Sequence, residues 1–173
     1  MKTIKPKKVK LFCGILYLRE EDLSLILKKL EKKFGSIEEM SLPYDFVFTS
    51  YYEPEFGKNL KKRFVVFKKL IDPKNISNIK LFTNNLENKV VKRGKRKINI
   101  DPGYISVDQL ILPTAKPRPH RIYLEKGVYA DHTYIFKKNE VITFQHTFPD
   151  FKQNFVKEFF LNLRRKYLNQ LKH

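Results

Sequence analysis

The sequence has one cysteine, no tryptophan and six glycines among its 173 residues. Cys13 alone cannot close an intramolecular disulfide, which fits a reducing compartment and leads to the expectation of a cytoplasmic protein. It stands inside the apolar stretch "LFCGILYL" (11–18), where core packing is its expected role. A catalytic thiol needs an electropositive, accessible setting that this stretch does not offer. No apolar run nears the ~18 residues that cross a bilayer. The run at 11–18 also lacks the small-residue cleavage site of a secretory leader.

Standard site patterns are missing too. There is no G-x-x-x-x-G-K-[ST], which excludes a P-loop NTPase, and no G-x-G-x-x-G. Neither paired Cys-x-x-Cys nor His-Glu-x-x-His occurs. His120, His132 and His146 read as scattered polar residues, so no metal site is expected and no cofactor is assigned. The dipeptides His132-Thr133 and His146-Thr147 lack the intervening residue of the His-x-Thr pairs found in some phosphoesterases. No repeat of 20–50 residues and no Gly/Ser/Pro-rich linker interrupts the chain, so residues 1–173 read as one domain, with 1–8 expected to be flexible.

Acidic residues are scarce: 18 Asp+Glu stand against 36 Lys+Arg, a net charge of +18. Two explanations stand side by side. Such an excess attracts polyanions such as RNA or nucleotides. A/T-rich codons, which also favour the Lys, Asn, Ile, Phe and Tyr abundant here, would load a surface with lysine without any partner.

What the chain does contain is core material, 42% hydrophobic and 14% aromatic. Residues 9–18 read as a buried strand. Leu23, Ile26, Leu27, Leu30 and Phe34 recur at helical spacing over 20–35, with acids at the start, lysines at the end and Gly35 at the stop. Strands are expected at 44–52 and 63–71, with a loop between them. The stretch 79–91 reads as a short strand to Phe82 and then a helix capped by Asn84, with Glu87 completing a capping box. "INI" (98–100) is a strand, and Asp101-Pro102-Gly103 has the chemistry of a type II turn that ends it. A short helix is expected over 106–112, two strands joined at Lys126-Gly127 over 120–136, and another strand over 140–148. The last element is a helix capped by Asp150 and Gln153, with Phe155, Phe159, Leu163 and Tyr167 as its apolar stripe. The order gives an α+β fold: a single domain with a largely antiparallel sheet and an N-terminal, a middle and a C-terminal helix.

Three polar stretches carry the candidate chemistry. "SYYEPEFG" (50–57) brings Tyr51 and Glu53. "NIDPGY" (99–104) brings Asp101 and Tyr104. "PTAKPRPHRIYL" (113–124) brings Lys116, Arg118, His120 and Arg121, braced by three prolines that restrict the chain before any ligand arrives. Cations held in this way suit a phosphate or carboxylate. Asp101 or Glu53 is a candidate base and His120 a candidate acid. The basic segment Lys92, Arg93, Lys95, Arg96 and Lys97 suits a nucleic-acid backbone gripped without reading its sequence. Each group also has a structural reading, as an ordinary turn, a solvated loop or a core tyrosine.

In that order, the segments "KLFCGIL", "YYEPEFG", "KRFVVFKKLIDP", "INIDPGYI", "HRIYL", "GVYAD" and "TFPDF" resemble a bacterial family known as domain of unknown function 4416. The resemblance spans almost the whole chain. Members are often called GTP-binding proteins, which implies a nucleotide partner, although this sequence has neither a P-loop nor N-K-x-D. The leading expectation is a protein that binds a phosphate-rich ligand, RNA or a nucleotide such as GTP, through Lys116, Arg118 and Arg121 with Tyr51 and Tyr104 nearby. The alternatives are a small enzyme acting on a phosphorylated or carboxylated molecule, and a structural or protein-interaction subunit without a small-molecule site.

Overall fold

A computed structural model describes residues 2–91 and 96–172. Nine strands and four α-helices follow in the order β1 (Val9–Tyr17), α1 (Glu20–Phe34), β2 (Ile37–Met40), β3 (Tyr44–Asp45), α2 (Glu53–Phe56), β4 (Lys61–Ile71), α3 (Ile76–Lys89), β5 (Ile98–Ile105), β6 (Gln109–Thr114), β7 (Arg121–Glu125), β8 (Val128–Lys137), β9 (Glu140–Thr143) and α4 (Asn154–Gln170). The strands form one antiparallel sheet in the order β2-β4-β1-β5-β6-β8-β7, with β3 added to β4 and β9 to β8. The fold is α+β, as expected from the sequence.

β1 is central, and all nine of its residues are buried. Its odd-numbered side chains, Leu11, Cys13, Ile15 and Tyr17, pack beneath α1 and α3 together with Val65, Phe67, Ile98 and Ile100. On the opposite face Phe12 joins Phe64, Val66, Leu110 and Tyr134 beneath Val156, Phe160, Leu163 and Tyr167 of α4. This is the strand periodicity of two, with both faces covered. Burial pushes the Cys13 thiol far above its ordinary value, which holds it protonated and inert.

Local expectations and the fold part company in several places. The stretch 79–91 is not strand then helix: α3 runs unbroken over Ile76–Lys89, entered through a 3-10 turn at Pro73–Asn75, and Asn84 lies in its interior instead of at a cap. β6 occupies the place of the expected helix at 106–112. Only Tyr44–Asp45 of the 44–52 stretch pairs as strand, the short α2 replaces part of the expected loop, and β2 was not foreseen. α4 begins at Asn154 and buries Val156 and Phe160, leaving Phe155 half exposed; Asp150 does not cap it, its carboxylate being taken by Lys62 and Tyr44. The hairpin at Lys126-Gly127 is as expected; both residues have positive φ, 53° and 73°, as a tight turn between twisted strands requires.

The difference that makes the site is at Asp101-Pro102-Gly103. The turn chemistry there is overridden, and β5 continues straight through it, pairing with β1 from Ile98 to Ile105. On its other side β5 pairs with β6 only at Tyr104 and Ile105; before that the two strands part. Pro102 has no N–H to give and sits where β6 has moved away, so its missing donor costs no ladder bond. Ile100, two residues earlier and so with the same backbone orientation, gives its N–H to the Glu87 carboxylate at 2.6 Å instead of to a strand. Gly103 is required by crowding: a Cβ there would lie 2.5 Å from Phe12 Cζ and 2.8 Å from Leu112 Cδ2.

Candidate functional site

The split between β5 and β6 opens a cavity of about 480 Å³, within the range of small-molecule sites. α3 supplies one wall. Lys80, Asn84 and Glu87 recur at i, i+4 and i+7 and so share one helix face, with Asn88 beside them. β5 supplies Asn99 and Asp101, which alternate with the core residues Ile98 and Ile100 and therefore point away from that core. β6 and the loop after it supply Leu112 through Lys116. Arg96, Arg121, Asp131, Lys62, Tyr51, Tyr52, Phe148 and Phe151 complete the lining.

The polar groups form linked pairs. Lys80 Nζ donates to Asp101 Oδ1 at 3.1 Å, and Asn99 Nδ2 donates to Asp101 Oδ2 at 2.7 Å. Burial pushes the Asp101 carboxyl up, but the Lys80 and Lys62 charges and these two hydrogen bonds outweigh it and hold its pKa below the ordinary 3.8. Arg96 grips both oxygens of Glu55, at 2.6 and 2.7 Å, and donates to Glu87 at 2.9 Å. Burial raises the Glu87 carboxyl above its ordinary 4.5 despite the Ile100 hydrogen bond. Lys62 is buried, donates to Asp150 at 2.5 Å and has the rings of Phe46, Phe64 and Phe151 around its ammonium at 4.9–5.4 Å. Arg121 donates to Asp131 at 2.8 Å and to the Lys116 carbonyl at 2.8 Å, folding the proline-braced loop back on itself.

Lys116 differs from the other four cations of the wall. Among the described residues it pairs with no carboxylate; its Nζ donates to Tyr51 Oη at 2.9 Å and lies 4.6 Å from that ring's centroid. The same contact lowers the Tyr51 phenol. Both residues are exposed at the cavity edge.

Of the residues singled out from sequence, Asp101, Lys116, Arg121, Tyr51 and Arg96 meet in this one wall. Four others do not line it. Glu53 is exposed at the start of α2, and Arg118 is exposed and offers its carbonyl to the Arg121 N–H. Tyr104 packs against the core beneath α1 and α3, where burial raises its pKa. His120 is outside the lining and faces Asp131, Nε2 to Oδ2 3.4 Å. In the basic segment, Lys92, Arg93 and Lys95 lie outside the described residues. Arg96 is turned inward onto two carboxylates, and Lys97 is half-buried just before β5.

The sequence reading missed Lys62, Lys80, Glu87, Asn99 and Asp131. One signal was available: a polar stripe at 80, 84, 87 and 88 beside the apolar Ile76, Ile79 and Leu86 marks a helix that turns one face to a polar space. Asp131 was visible only as part of "GVYAD".

Fold and site together define an α+β protein whose antiparallel sheet parts in the middle around a charged hollow. The chain belongs to the family described as a domain of unknown function (DUF4416), which matches it over residues 7–167, nearly its whole length. No curated protein and no solved structure matches it. No helix among the described residues is long and apolar enough to cross a membrane.

Proposed function

We propose that the protein binds a phosphate-bearing small molecule of nucleotide size in the cavity between β5 and β6. The observation that carries this reading is the meeting of three chemistries in one hollow of about 480 Å³. The cations Lys62, Lys80, Arg96, Lys116 and Arg121 outnumber the carboxylates Glu87, Asp101 and Asp131 and suit phosphate. The carboxamides of Asn84, Asn88 and Asn99 can read the donors and acceptors of a base edge. The rings of Tyr51, Tyr52 and Phe148 offer stacking faces.

Most of these cations are already held by carboxylates, so they are fixed before a ligand arrives, and little ordering entropy is lost on binding. Lys116 is the exception and the natural first contact for an incoming phosphate, with Tyr51 beside it to stack. A hollow favours a compact ligand over a strand of RNA, whose backbone is better met by an extended basic stripe.

A melting-temperature panel with GTP, ATP, GMP, inorganic triphosphate and a short RNA tests the reading. Expected is a concentration-dependent rise with a nucleoside phosphate that is much reduced in Lys116→Ala. A response to RNA alone, or to nothing in the panel, overturns it.

A further inference from the structure

Asp131 belongs to the cavity wall and also to a second cluster beside it. His120 comes from the loop just before β7, Asp131 from β8 and His146 from the turn after β9. His120 Nε2 lies 3.4 Å from Asp131 Oδ2, and His146 Nε2 lies 4.0 Å from Asp131 Oδ1. One ligand atom from each of the three residues lies within 4.8 Å of the other two.

The surroundings hold the three residues close together. The His120 and His146 rings stack at 4.0 Å, and Phe144 stacks on His146 at 5.1 Å. Thr147 Oγ1 donates to the Thr133 carbonyl at 2.9 Å and accepts the Phe144 N–H at 2.8 Å, which ties the His146 turn to β8. Asp131 is buried, with Arg121 donating to its Oδ2.

Charge pairing does not explain why two imidazoles converge here. Arg121 already neutralises Asp131, so the carboxylate needs no second or third cation. What two imidazoles and a carboxylate offer instead is a set of nitrogen and oxygen lone pairs. We propose that His120, Asp131 and His146 form a binding site for a divalent first-row transition-metal ion of the zinc class, with at least one coordination position open.

Ligand atoms about 2.0–2.2 Å from such an ion lie about 3–4 Å from one another. The atoms here approach that spacing, and both histidine side chains are partly exposed and able to turn the remaining distance. The Arg121 hydrogen bond occupies Oδ2 and orients the carboxylate in the way that outer partners orient metal ligands. His146 Nε2 lies 2.9 Å from the His132 carbonyl, which can only accept, so without an ion that nitrogen donates and carries the ring proton; ligation through Nε2 requires the proton to move to Nδ1 and the ring to turn away from this carbonyl. Because Arg121 shares the Asp131 carboxylate, the one acidic group of the cluster among the described residues, the ion's charge is left largely uncompensated. The open position therefore favours an anion, hydroxide or a phosphate oxygen, on the side where Asp131 meets the cavity.

The test uses the tag-free full chain, stripped with a chelator, and the metal alone. Zn²⁺ is titrated by calorimetry, and Co²⁺ is followed by its visible absorption. Expected is one ion per chain, with affinity reduced at least about tenfold in His120→Ala and in His146→Ala. Asp131→Asn is expected to do the same; should that variant not fold, because Asp131 is buried, the two histidine variants decide. Absence of binding, or binding unchanged in both histidine variants, overturns the site. Since no phosphate is present, a negative result here leaves the cavity reading standing, and failed nucleotide binding leaves this site standing.

Discussion

Lys80 Nζ lies 3.1 Å from Asp101 Oδ1, joining α3 to a carboxylate on β5 where that strand has lost its partner β6. Both residues line the cavity. Asp101 still meets water there, with its side chain 38% exposed, so removing Lys80 costs less than breaking a sealed ion pair. Lys80→Ala is expected to lower unfolding free energy by about 1–2 kcal/mol in a urea titration. A loss above about 4 kcal/mol would mean that the pair is closed to water.

Glu87 does a backbone's work. It accepts the Ile100 N–H at 2.6 Å and holds Arg96 at 2.9 Å. Glu87→Ala leaves a buried N–H without an acceptor and is expected to cost about 2–4 kcal/mol, whereas Glu87→Gln keeps an acceptor oxygen and costs about half as much. Equal losses in the two variants would show that the hydrogen bond contributes nothing.

Gly103 is set by space. Alanine there would bring a methyl group into Phe12 and Leu112, and the expected destabilisation is about 1–3 kcal/mol. The corresponding fall in melting temperature is measurable by calorimetry, and an unchanged value would contradict the close approach.

Acid titration separates Asp101 from Glu87. The Asp101 pKa is depressed, so its contribution to stability is present above its unfolded value of 3.8 and is lost as pH falls through the lower folded value. The Glu87 pKa is raised, so its contribution is full below 4.5 and is lost as pH rises through the folded value. Asp101→Asn should therefore show a deficit that is constant near neutrality and shrinks in acid. The deficit of Glu87→Gln should be greatest in acid and narrow as pH rises above 4.5. Chemical denaturation at a series of pH values checks both slopes; parallel curves would contradict the assignments.

Local sequence rules were enough for β1, α1 and the hairpin of β7 and β8, where periodicity and turn chemistry agree with the tertiary fold. They failed at Asp101-Pro102-Gly103, because whether proline breaks a strand depends on a neighbour strand far along the chain. They failed at Asn84 and Glu87, read as a cap and its partner, because the true partners are Ile100 and Arg96. The candidate site was half legible. Lys116, Arg121, Asp101 and Tyr51 stood out by local chemistry. Lys62 did not, since its role rests on Asp150, 88 residues later. The convergence of His120 and His146 on Asp131 could not be read from spacing, because tertiary pairing of β7 and β9 with β8 and the Thr147 hydrogen bonds bring them together.

The central claim is that the hollow between β5 and β6 takes a phosphate-bearing ligand through Lys116 and its neighbours. Isothermal titration of GTP and ATP into the parent chain and into Lys116→Ala and Tyr51→Ala tests it most directly. One site per chain is expected for at least one nucleotide, with affinity falling about tenfold or more in each variant while melting temperature stays unchanged, since both residues are exposed. No binding of either nucleotide to the parent chain, or binding that neither substitution alters, would contradict the account.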